Sequence, residues 1–355
     1  MTSRLRQVTP DVRLRPDRAK LAGDMEPAIS DGTQTAHPSR TGADRALLPL
    51  VAGLATVLLA SCGADSSAPA LVARPTGPVP TTSTSPLPLP SAPVDSITPA
   101  VPTSAETPDA LPGVPQFSDR DGFHTLRIVI EEMIPHDTGS FTQGLLLSDD
   151  GRLFESAGQY GASTIREVDP RTGAVVRVAA DPPDVFAEGL ELVDDRLIQL
   201  TWMEEIAYVW DVDTFEIVDS FAYQGEGWGL CLLGSSLVMS DGSPTLTFRD
   251  PESFEALETV DVTFDGVPLE RINELECVGD HVFANVWRTT FIVVIDPVDG
   301  RVVAVADAAA LVDLAVSEFE DADVLNGIAY DDKGGTFHLT GKHWPFTFVV
   351  RFENA

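Results

Sequence analysis

The sequence lacks the motifs from which the commonest metal and nucleophilic sites are built. It contains no His-Glu-x-x-His, Cys-x-x-Cys or Gly-x-Ser-x-Gly segment and no glycine-rich phosphate loop. Its 3 cysteines and 6 histidines do not recur with carboxylates at ligand-like or triad-like spacings. These absences argue against a zinc enzyme and against a Ser-His-Asp hydrolase. We predict no metal and no cofactor.

Basic residues are also scarce. From residue 62 onward, 15 Lys and Arg stand against 49 Asp and Glu, a net charge of −34. Such a surface repels nucleic acid and anionic lipid headgroups. We therefore expect no nucleic-acid partner, and we interpret most of the acidic residues as a solvated surface.

Aromatic residues are nearly absent between residues 63 and 120, where 13 of the 27 prolines lie. A segment this rich in Pro, Ser and Thr cannot bury a core, so residues 62–122 are predicted to form a disordered linker. The folded domain is expected to occupy residues 123–355.

An uncharged apolar run over residues 46–60 precedes the linker. Because a membrane span needs about 20 apolar residues, this shorter run favours a signal peptide. The segment Leu59-Ala60-Ser61-Cys62 resembles the lipobox of bacterial lipoproteins, which predicts a leader over residues 1–61 and lipidation of Cys62. The alternatives are an uncleaved anchor and a simple signal peptide, and either Met1 or Met25 could be the start.

These features predict an exported protein. We expect a monomer whose membrane contact is limited to the lipid on Cys62. It would lie on the outer face of the bacterial cytoplasmic membrane, in the periplasm or at the cell surface.

One pattern recurs five times between residues 141 and 345. Its copies are Thr142-Gln-Gly-Leu, Ala187-Glu-Gly-Leu, Gly227-Trp-Gly-Leu, Ile272-Asn-Glu-Leu and Leu325-Asn-Gly-Ile. Their second positions lie 45, 40, 45 and 53 residues apart, with short alternating strands between them. A repeat near this length, without long helical patterns, is typical of β-propeller blades.

The predicted fold is therefore an all-β, five-bladed propeller. The fifth blade supplies three strands before the chain ends, and we expect residues 124–131 to pair into it and close the ring. Leu311, Leu314, Ala315 and Phe319 recur at helical intervals within the longest spacing, which predicts a short helix there.

Equivalent positions of successive blades line the mouth of a propeller channel, so the second positions of the five copies should face one another. These ring residues are Gln143, Glu188, Trp228, Asn273 and Asn326. Aligning the next strand gives a second set, which consists of Gly158, Trp202, Gly242, Trp287 and Gly341, with Lys342 following. Glycine leaves room and tryptophan supplies walls, so this mixture predicts a shaped pocket.

The remaining cysteines, Cys231 and Cys277, could pair in an exported protein. The repeat alignment matches Cys231 with Glu276 and Cys277 with Leu232. An offset of one position puts the two side chains on opposite faces of their strands. We therefore predict two free, buried thiols.

Nine segments together carry a resemblance to a known family. They are Phe141-Thr-Gln-Gly, Phe186-Ala-Glu-Gly, Leu200-Thr-Trp, Gly225-Glu-Gly-Trp-Gly-Leu, Ser240-Asp-Gly-Ser, Asn273-Glu-Leu-Glu, Ala284-Asn-Val-Trp, Leu325-Asn-Gly-Ile-Ala and Thr340-Gly-Lys-His-Trp-Pro. In this order and spacing they resemble the plant-type glutaminyl-peptide cyclotransferases (glutamine cyclotransferases), which also have bacterial members. The resemblance covers about residues 125–353.

The resemblance implies a five-bladed propeller that acts on peptides or proteins with an N-terminal glutamine. The product is pyroglutamate, and ammonia is released without zinc. It also implies a pocket formed by Phe141, Gln143, Glu188, Trp202, Trp228, Asn273, Trp287 and Lys342. To these the ring adds Asn326 as a substrate-binding residue. The chain departs from the family at Ala187, where relatives often carry Gly or Met.

This reaction needs a group that moves a proton from the attacking α-amine to the departing nitrogen. Glu188, the one acid among the five ring residues, is the predicted general base and then general acid. Asn273, Gln143 and Lys342 are the available donors to the oxyanion. The three tryptophans would hold the curled substrate and exclude water. We interpret the nearby acids as structural or as residues that support the ring residues from behind, namely Glu226, Glu274, Glu276 and Asp241.

Two other functions stay open on the sequence alone. Glu188, Asn273 and Asn326 could hold calcium as in propeller hydrolases of the lactonase kind, although such sites usually gather more than one carboxylate and Lys342 would repel the ion. The other is a non-catalytic lipoprotein that binds a peptide on the propeller face.

Overall fold

The computed structural model of the chain describes residues 111–117 and 123–355. The predicted leader (1–61), Cys62 and most of the predicted linker lie outside the described residues. The described part is all-β, with 22 strands and one helix. No helix within it is long and apolar enough to cross a membrane.

The described strands begin with β1 (His124–Pro135), and three antiparallel sheets of four strands follow in chain order. The first sheet contains β2 (Thr142–Leu147), β3 (Leu153–Ala157), β4 (Thr164–Val168) and β5 (Val175–Ala180). The second contains β6 (Ala187–Val193), β7 (Arg196–Thr201), β8 (Ile206–Asp211) and β9 (Ile217–Ala222). The third contains β10 (Leu230–Leu233), β11 (Ser236–Met239), β12 (Thr245–Arg249) and β13 (Ala256–Asp261). A small hairpin of β14 (Thr263–Phe264) and β15 (Val267–Pro268) comes next.

Two further groups of four strands share one eight-stranded sheet. The fourth group contains β16 (Ile272–Val278), β17 (His281–Val286), β18 (Phe291–Ile295) and β19 (Val302–Asp307). The fifth group consists of β20 (Leu325–Asp331), β21 (Thr336–Gly341), β22 (Phe346–Asn354) and β1. β1 runs antiparallel to β22 along most of its length and makes a short parallel contact with β19. The expected pairing of the N-terminal strand with the last strand is therefore present.

The helix α1 (Ala309–Glu318) lies between β19 and β20 and buries Leu311 and Ala315. It confirms the short helix that the apolar spacing predicts in the longest interval of the repeat. Phe319 lies one residue beyond the helix, where the backbone is already extended.

The repeat glycines allow the first strands of successive sheets to approach closely. A Cβ atom added to Gly144 would lie 2.7 Å from the backbone nitrogen of Leu190, and one added to Gly229 would lie 2.2 Å from the carbonyl oxygen of Asn273. Gly189 is equally crowded by the next copy, with a nearest approach of 2.7 Å. Any side chain at these positions would push the sheets apart, which explains why the repeat carries glycine.

The fourth copy carries Glu274 where the other copies carry glycine. The Glu274 carboxylate accepts hydrogen bonds from the backbone N–H of Leu145, at 3.3 Å, and of Ile328, at 2.8 Å. Burial raises the pKa of this carboxyl well above its usual range, and the two N–H donors act against that rise. One side chain thus connects the first strands of three strand groups.

Residues 111–117 pack against the fifth group although they fall within the predicted linker. Leu111, Val114 and Phe117 pack against the apolar core that the fourth and fifth groups share, and the Tyr330 hydroxyl donates to the carbonyl of Pro112 at 2.6 Å. These three apolar residues recur every third position, so a short stretch of an otherwise polar and proline-rich segment can add to the core.

Cys231 and Cys277 form a disulfide with a Cα–Cα distance of 5.4 Å, so the prediction of two free thiols is wrong. The cysteines lie on β10 and β16, which belong to neighbouring sheets that share one apolar core. When sheets pack face to face, the gap between them is lined by one face of the first sheet and the opposite face of the second. Side chains on opposite faces of equivalent strands therefore meet in that gap.

A buried ion pair between His136 and Glu155 connects the segment that follows β1 to β3. The imidazole Nε2 lies 3.0 Å from Glu155 Oε1, and Nδ1 lies 2.8 Å from the carbonyl oxygen of Trp344. Ser140 and Thr142 donate their hydroxyls to the same carboxylate oxygen at 2.6 Å each. Because both ring nitrogens face acceptors, both carry protons and the imidazole is charged.

The disulfide is expected to stabilise the fold. Reduction should lower the free energy of unfolding by about 2–4 kcal/mol, because the bond closes a long loop in the unfolded chain. Urea denaturation with and without a reductant measures this. The double variant C231A/C277A is the control and should not respond to reductant; equal midpoints for the wild type under both conditions would contradict the prediction.

The His136–Glu155 pair is expected to stabilise the fold most between about pH 4.5 and 6.5. Its neighbours lower the pKa of Glu155 from 4.5 to about 2 although burial opposes them, so the Glu155 contribution disappears as pH falls towards 2. Glu155, with a smaller contribution from Asp137, raises the pKa of His136 above 6.5 against the effect of burial. The His136 contribution is therefore lost as pH rises through that higher value.

Glu155→Gln removes the charge and leaves its partner buried, which should cost about 3–5 kcal/mol. Urea unfolding from pH 3 to pH 9 measures the difference from the wild type, with Glu167→Gln at a more exposed ion pair as the control. A difference that is small or independent of pH would show that the pair does not stabilise the fold in this way.

Candidate active site

Three of the five ring residues form a chain of hydrogen bonds. Gln143 Nε2 donates to Glu188 Oε1 at 2.8 Å, and Asn326 Nδ2 donates to Gln143 Oε1 at 3.2 Å. Asn326 also donates to the Thr142 carbonyl at 3.0 Å. All three amide and carboxyl side chains are buried. Asn326 thus fixes the orientation of the Gln143 amide, so that its N–H group faces the Glu188 carboxyl.

The other two ring residues, Trp228 and Asn273, lie on the neighbouring segments. The Trp228 carbonyl accepts the N–H of Gly189 at 2.7 Å, directly beside Glu188. The Asn273 carbonyl accepts the Ser240 hydroxyl at 2.7 Å. Together with the close glycine contacts, these bonds place the segments that carry Glu188, Trp228 and Asn273 side by side.

Lys342 is buried at the end of β21, with its ammonium 4.4 Å from the centre of the Phe141 ring. Its backbone N–H donates to the carbonyl of Val324 at 3.0 Å, and its own carbonyl accepts the N–H of Asp323 at 2.8 Å. The side chain is therefore held by a cation–π contact and its backbone by two hydrogen bonds.

Glu188 and Lys342 influence each other's ionisation. Burial raises the pKa of the Glu188 carboxyl well above its usual range; the Lys342 ammonium opposes this rise, and the carboxylates of Glu226 and Glu204 add to it. Burial also lowers the pKa of Lys342 to about 8, although Glu188 raises it. A carboxyl whose pKa is raised is a stronger base when ionised, and it can return the proton that it accepts, which is what acid–base catalysis requires.

Five aromatic residues form what we call the aromatic belt: Phe141, Phe186, Trp202, Trp228 and Trp287. Phe186 meets Phe141 edge to face at 5.9 Å and Trp202 at 5.8 Å. Trp228 meets Trp287 at 5.5 Å. The three tryptophans are only half-buried, whereas Trp210 and Trp344 are buried in the core. The indoles of the belt are therefore available to a ligand.

The glycines of the second predicted set make room for aromatic rings. A Cβ atom added to Gly158 would lie 2.3 Å from Phe186, and one added to Gly242 would lie 2.6 Å from Trp228. At Gly341 the ring that occupies this space is that of Trp344, at 2.3 Å. The alternation of glycine and tryptophan in the sequence thus reflects how these rings pack.

Sequence reasoning missed two residues at this site and the contacts of a third. Phe186 occupies the same repeat position as Phe141, so a closer alignment of the two copies could have found it. Glu226 accepts hydrogen bonds from two indoles of the belt. Glu204 accepts the Tyr160 hydroxyl at 2.9 Å and lies beside Phe186, but nothing in the repeat distinguishes it from a surface acid.

The arrangement combines a buried acid, a buried lysine and side-chain amides beneath half-buried aromatic walls. It can move protons and stabilise a developing negative charge on a bound ligand. Within residues 111–117 and 123–355, no group of three or more His, Cys, Asp or Glu side chains is placed to hold a metal ion.

Comparisons with known proteins agree on one family. A curated glutaminyl-peptide cyclotransferase from Arabidopsis thaliana is 37% identical over 223 residues, which cover 62% of this chain and 70% of that protein. The crystal structure of Myxococcus xanthus glutaminyl cyclase is 38% identical, with a TM-score of 0.62, and the match covers 66% of this chain and 99% of that one. The family model for glutamine cyclotransferase matches residues 106–352. The chain therefore belongs to the glutamine cyclotransferase family.

Proposed function

We propose that this protein is a glutaminyl-peptide cyclotransferase, which converts the N-terminal glutamine of peptides or proteins into pyroglutamate and releases ammonia. The observation that carries the proposal is the buried Glu188 carboxyl, held by Gln143 at 2.8 Å beside half-buried indoles. Membership of the glutamine cyclotransferase family supports the same reaction.

The proposed architecture is a five-bladed propeller, with one blade for each of the five strand groups. The close contacts support it, because each first strand approaches the next one in order, and Glu274 reaches both the fifth group and the first. The pairing of β1 with β22 would close the ring. In this arrangement the ring residues lie around one mouth.

The proposed mechanism begins when the neutral α-amine of the substrate attacks the carbonyl carbon of its own side-chain amide. Glu188 takes one proton from the amine as the C–N bond forms, and the carbonyl oxygen becomes an oxyanion. Glu188 then returns that proton to the amide nitrogen. The old C–N bond breaks, the carbonyl re-forms, and ammonia leaves. No oxidant or co-substrate is needed, so one carboxyl can serve both steps.

Lys342 and Asn273 are the proposed donors to the oxyanion. Gln143 was a third candidate, but one of its N–H bonds is directed at Glu188. We propose that Gln143 chiefly orients the carboxyl and that Asn326, which is fully buried, acts through Gln143. The ammonium of Lys342 supports a metal-free reaction, because it supplies the positive charge that the oxyanion requires.

The aromatic belt is proposed to bind the glutamine side chain in its curled form. Attack by the amine requires the chain to fold back on itself, and flat rings at the mouth favour that compact shape over an extended one. The same rings exclude water, which strengthens the electrostatic contacts to the oxyanion.

The proposed location remains that of an exported monomer, tethered through a lipid on Cys62 after removal of residues 1–61. The apolar run over residues 46–60 and the lipobox-like segment before Cys62 support it. The proline-rich segment that follows would separate the domain from the membrane.

Glu188→Gln is expected to lower the rate of ammonia release from glutamine-initiated peptides by about 10²–10⁴-fold, because the amide cannot accept the proton. A coupled ammonia assay measures the rate, and circular dichroism checks the fold. Glu258→Gln, at an exposed position on β13, is the matched control. Wild-type activity in the Glu188 variant would refute the assignment of the proton carrier.

The metal-free reaction has its own test. Wild-type protein treated with EDTA and dialysed should retain its rate of ammonia release, since the Lys342 ammonium rather than a metal ion would face the oxyanion. Calcium-dependent lactone hydrolysis that disappears with EDTA, without any ammonia release, would favour the lactonase-like alternative.

Lys342 should give the reaction a pH dependence of its own. Its pKa is lowered to about 8, so the ammonium is lost as pH rises through that value. Lys342→Arg keeps a positive charge at all these pH values. The ratio of kcat/KM for the wild type to that for the arginine variant should therefore fall above about pH 8. Taking the ratio cancels the titration of the substrate amine, and a ratio that stays flat up to pH 10 would contradict the role.

A further inference from the structure

Glu226 joins two walls of the aromatic belt through a single oxygen atom. Its Oε2 accepts the indole N–H of Trp202 at 2.7 Å and that of Trp228 at 2.9 Å. Trp202 follows β7 in the second sheet, and Trp228 precedes β10 in the third. The carboxylate therefore bridges the two sheets at the level of the candidate site.

The backbone around Glu226 is tightly constrained. Gly225 has a φ of +89°, which favours glycine, and its N–H donates to the Glu205 carboxylate at 3.0 Å. The N–H of Gly227 donates to the carbonyl of Trp202 at 3.0 Å, and a Cβ atom there would lie 2.3 Å from the Tyr223 hydroxyl. Glu226 thus projects from a short segment that is fixed on both sides.

We propose that Glu226 is a positioning residue, which fixes the angle between the Trp202 and Trp228 indoles and thereby shapes the pocket for the curled glutamine side chain. This inference rests on the proposed function and deepens it. An indole N–H can only donate, so a shared acceptor determines where both ring edges point. A charged acceptor forms stronger hydrogen bonds than a neutral one.

Two further observations support this role. The belt is continuous on either side of Glu226, because Trp202 contacts Phe186 and Trp228 contacts Trp287. Both indoles are only half-buried, so packing covers each ring only in part.

The test compares Glu226→Ala with Glu226→Gln in the full chain. Alanine removes the acceptor, whereas the glutamine oxygen can still accept both indole N–H groups. The alanine variant should lower kcat/KM for a glutamine-initiated peptide by about tenfold to hundredfold, chiefly through a higher KM. The glutamine variant should lose only about threefold. Glu258→Ala, on exposed β13, is the matched control for loss of a surface carboxylate.

The second readout is independent of activity. In protein labelled with ¹⁵N-tryptophan, the alanine variant should shift the indole N–H signals of Trp202 and Trp228 and leave those of Trp210 and Trp344 in place. Thermal melting confirms that each variant is folded. Signals and kinetics of the alanine variant that match the Glu258 control would overturn the inference.

Loss of activity in the glutamine variant as large as in the alanine variant would also overturn it, because charge rather than positioning would then be responsible. Failure of the proposed function looks different: the wild type itself would release no ammonia from glutamine-initiated peptides. In that case the indole signals still decide whether Glu226 holds the two rings.

Discussion

The close approach of the first strands of successive sheets is the constraint on which the site depends. Gly144, Gly189 and Gly229 have no room for a side chain, because the backbone of the next copy occupies that space. This approach brings the residue beside each glycine towards its counterparts, so that Gln143 can reach Glu188. Where the repeat carries Glu274 instead, a buried carboxyl binds backbone groups of two other strand groups. Packing and site geometry therefore have one cause.

Burial of charge is the second constraint. An isolated carboxylate in an apolar pocket is costly, and the chain offsets part of that cost for Glu188 with one amide donor and a nearby ammonium. The remaining cost appears as a raised pKa, which suits a group that must both accept and return a proton. His136 and Glu155 illustrate the opposite case, since a close ion pair with two added hydroxyl donors keeps the Glu155 carboxyl ionised. The hydrogen-bond donors and positive charges around a buried acid therefore determine whether its pKa is raised or lowered.

Much of this could be predicted from the sequence, because the repeat reports on equivalent positions. The strand groups, the helix after β19 and the pairing of β1 with β22 follow from periodicity and from counting strands. The contacts between neighbouring sheets could not be predicted in this way. A repeat alignment matches equivalent positions of different copies, but it does not show which faces of neighbouring sheets meet. For that reason the disulfide between Cys231 and Cys277 was missed. The contacts of Glu226 were missed because they involve two indoles from different sheets.

The central claim is that Glu188 is a buried acid whose surroundings raise its pKa, so that the carboxyl can both accept and return a proton. Infrared difference spectroscopy of the wild type against Glu188→Gln, recorded across pH, isolates this one carboxyl from the other buried acids. The account predicts that the protonated carboxyl band of Glu188 persists well above the ordinary glutamate pKa of 4.5. Titration of that band at or below 4.5 would show that the carboxyl is solvated, and would contradict the account.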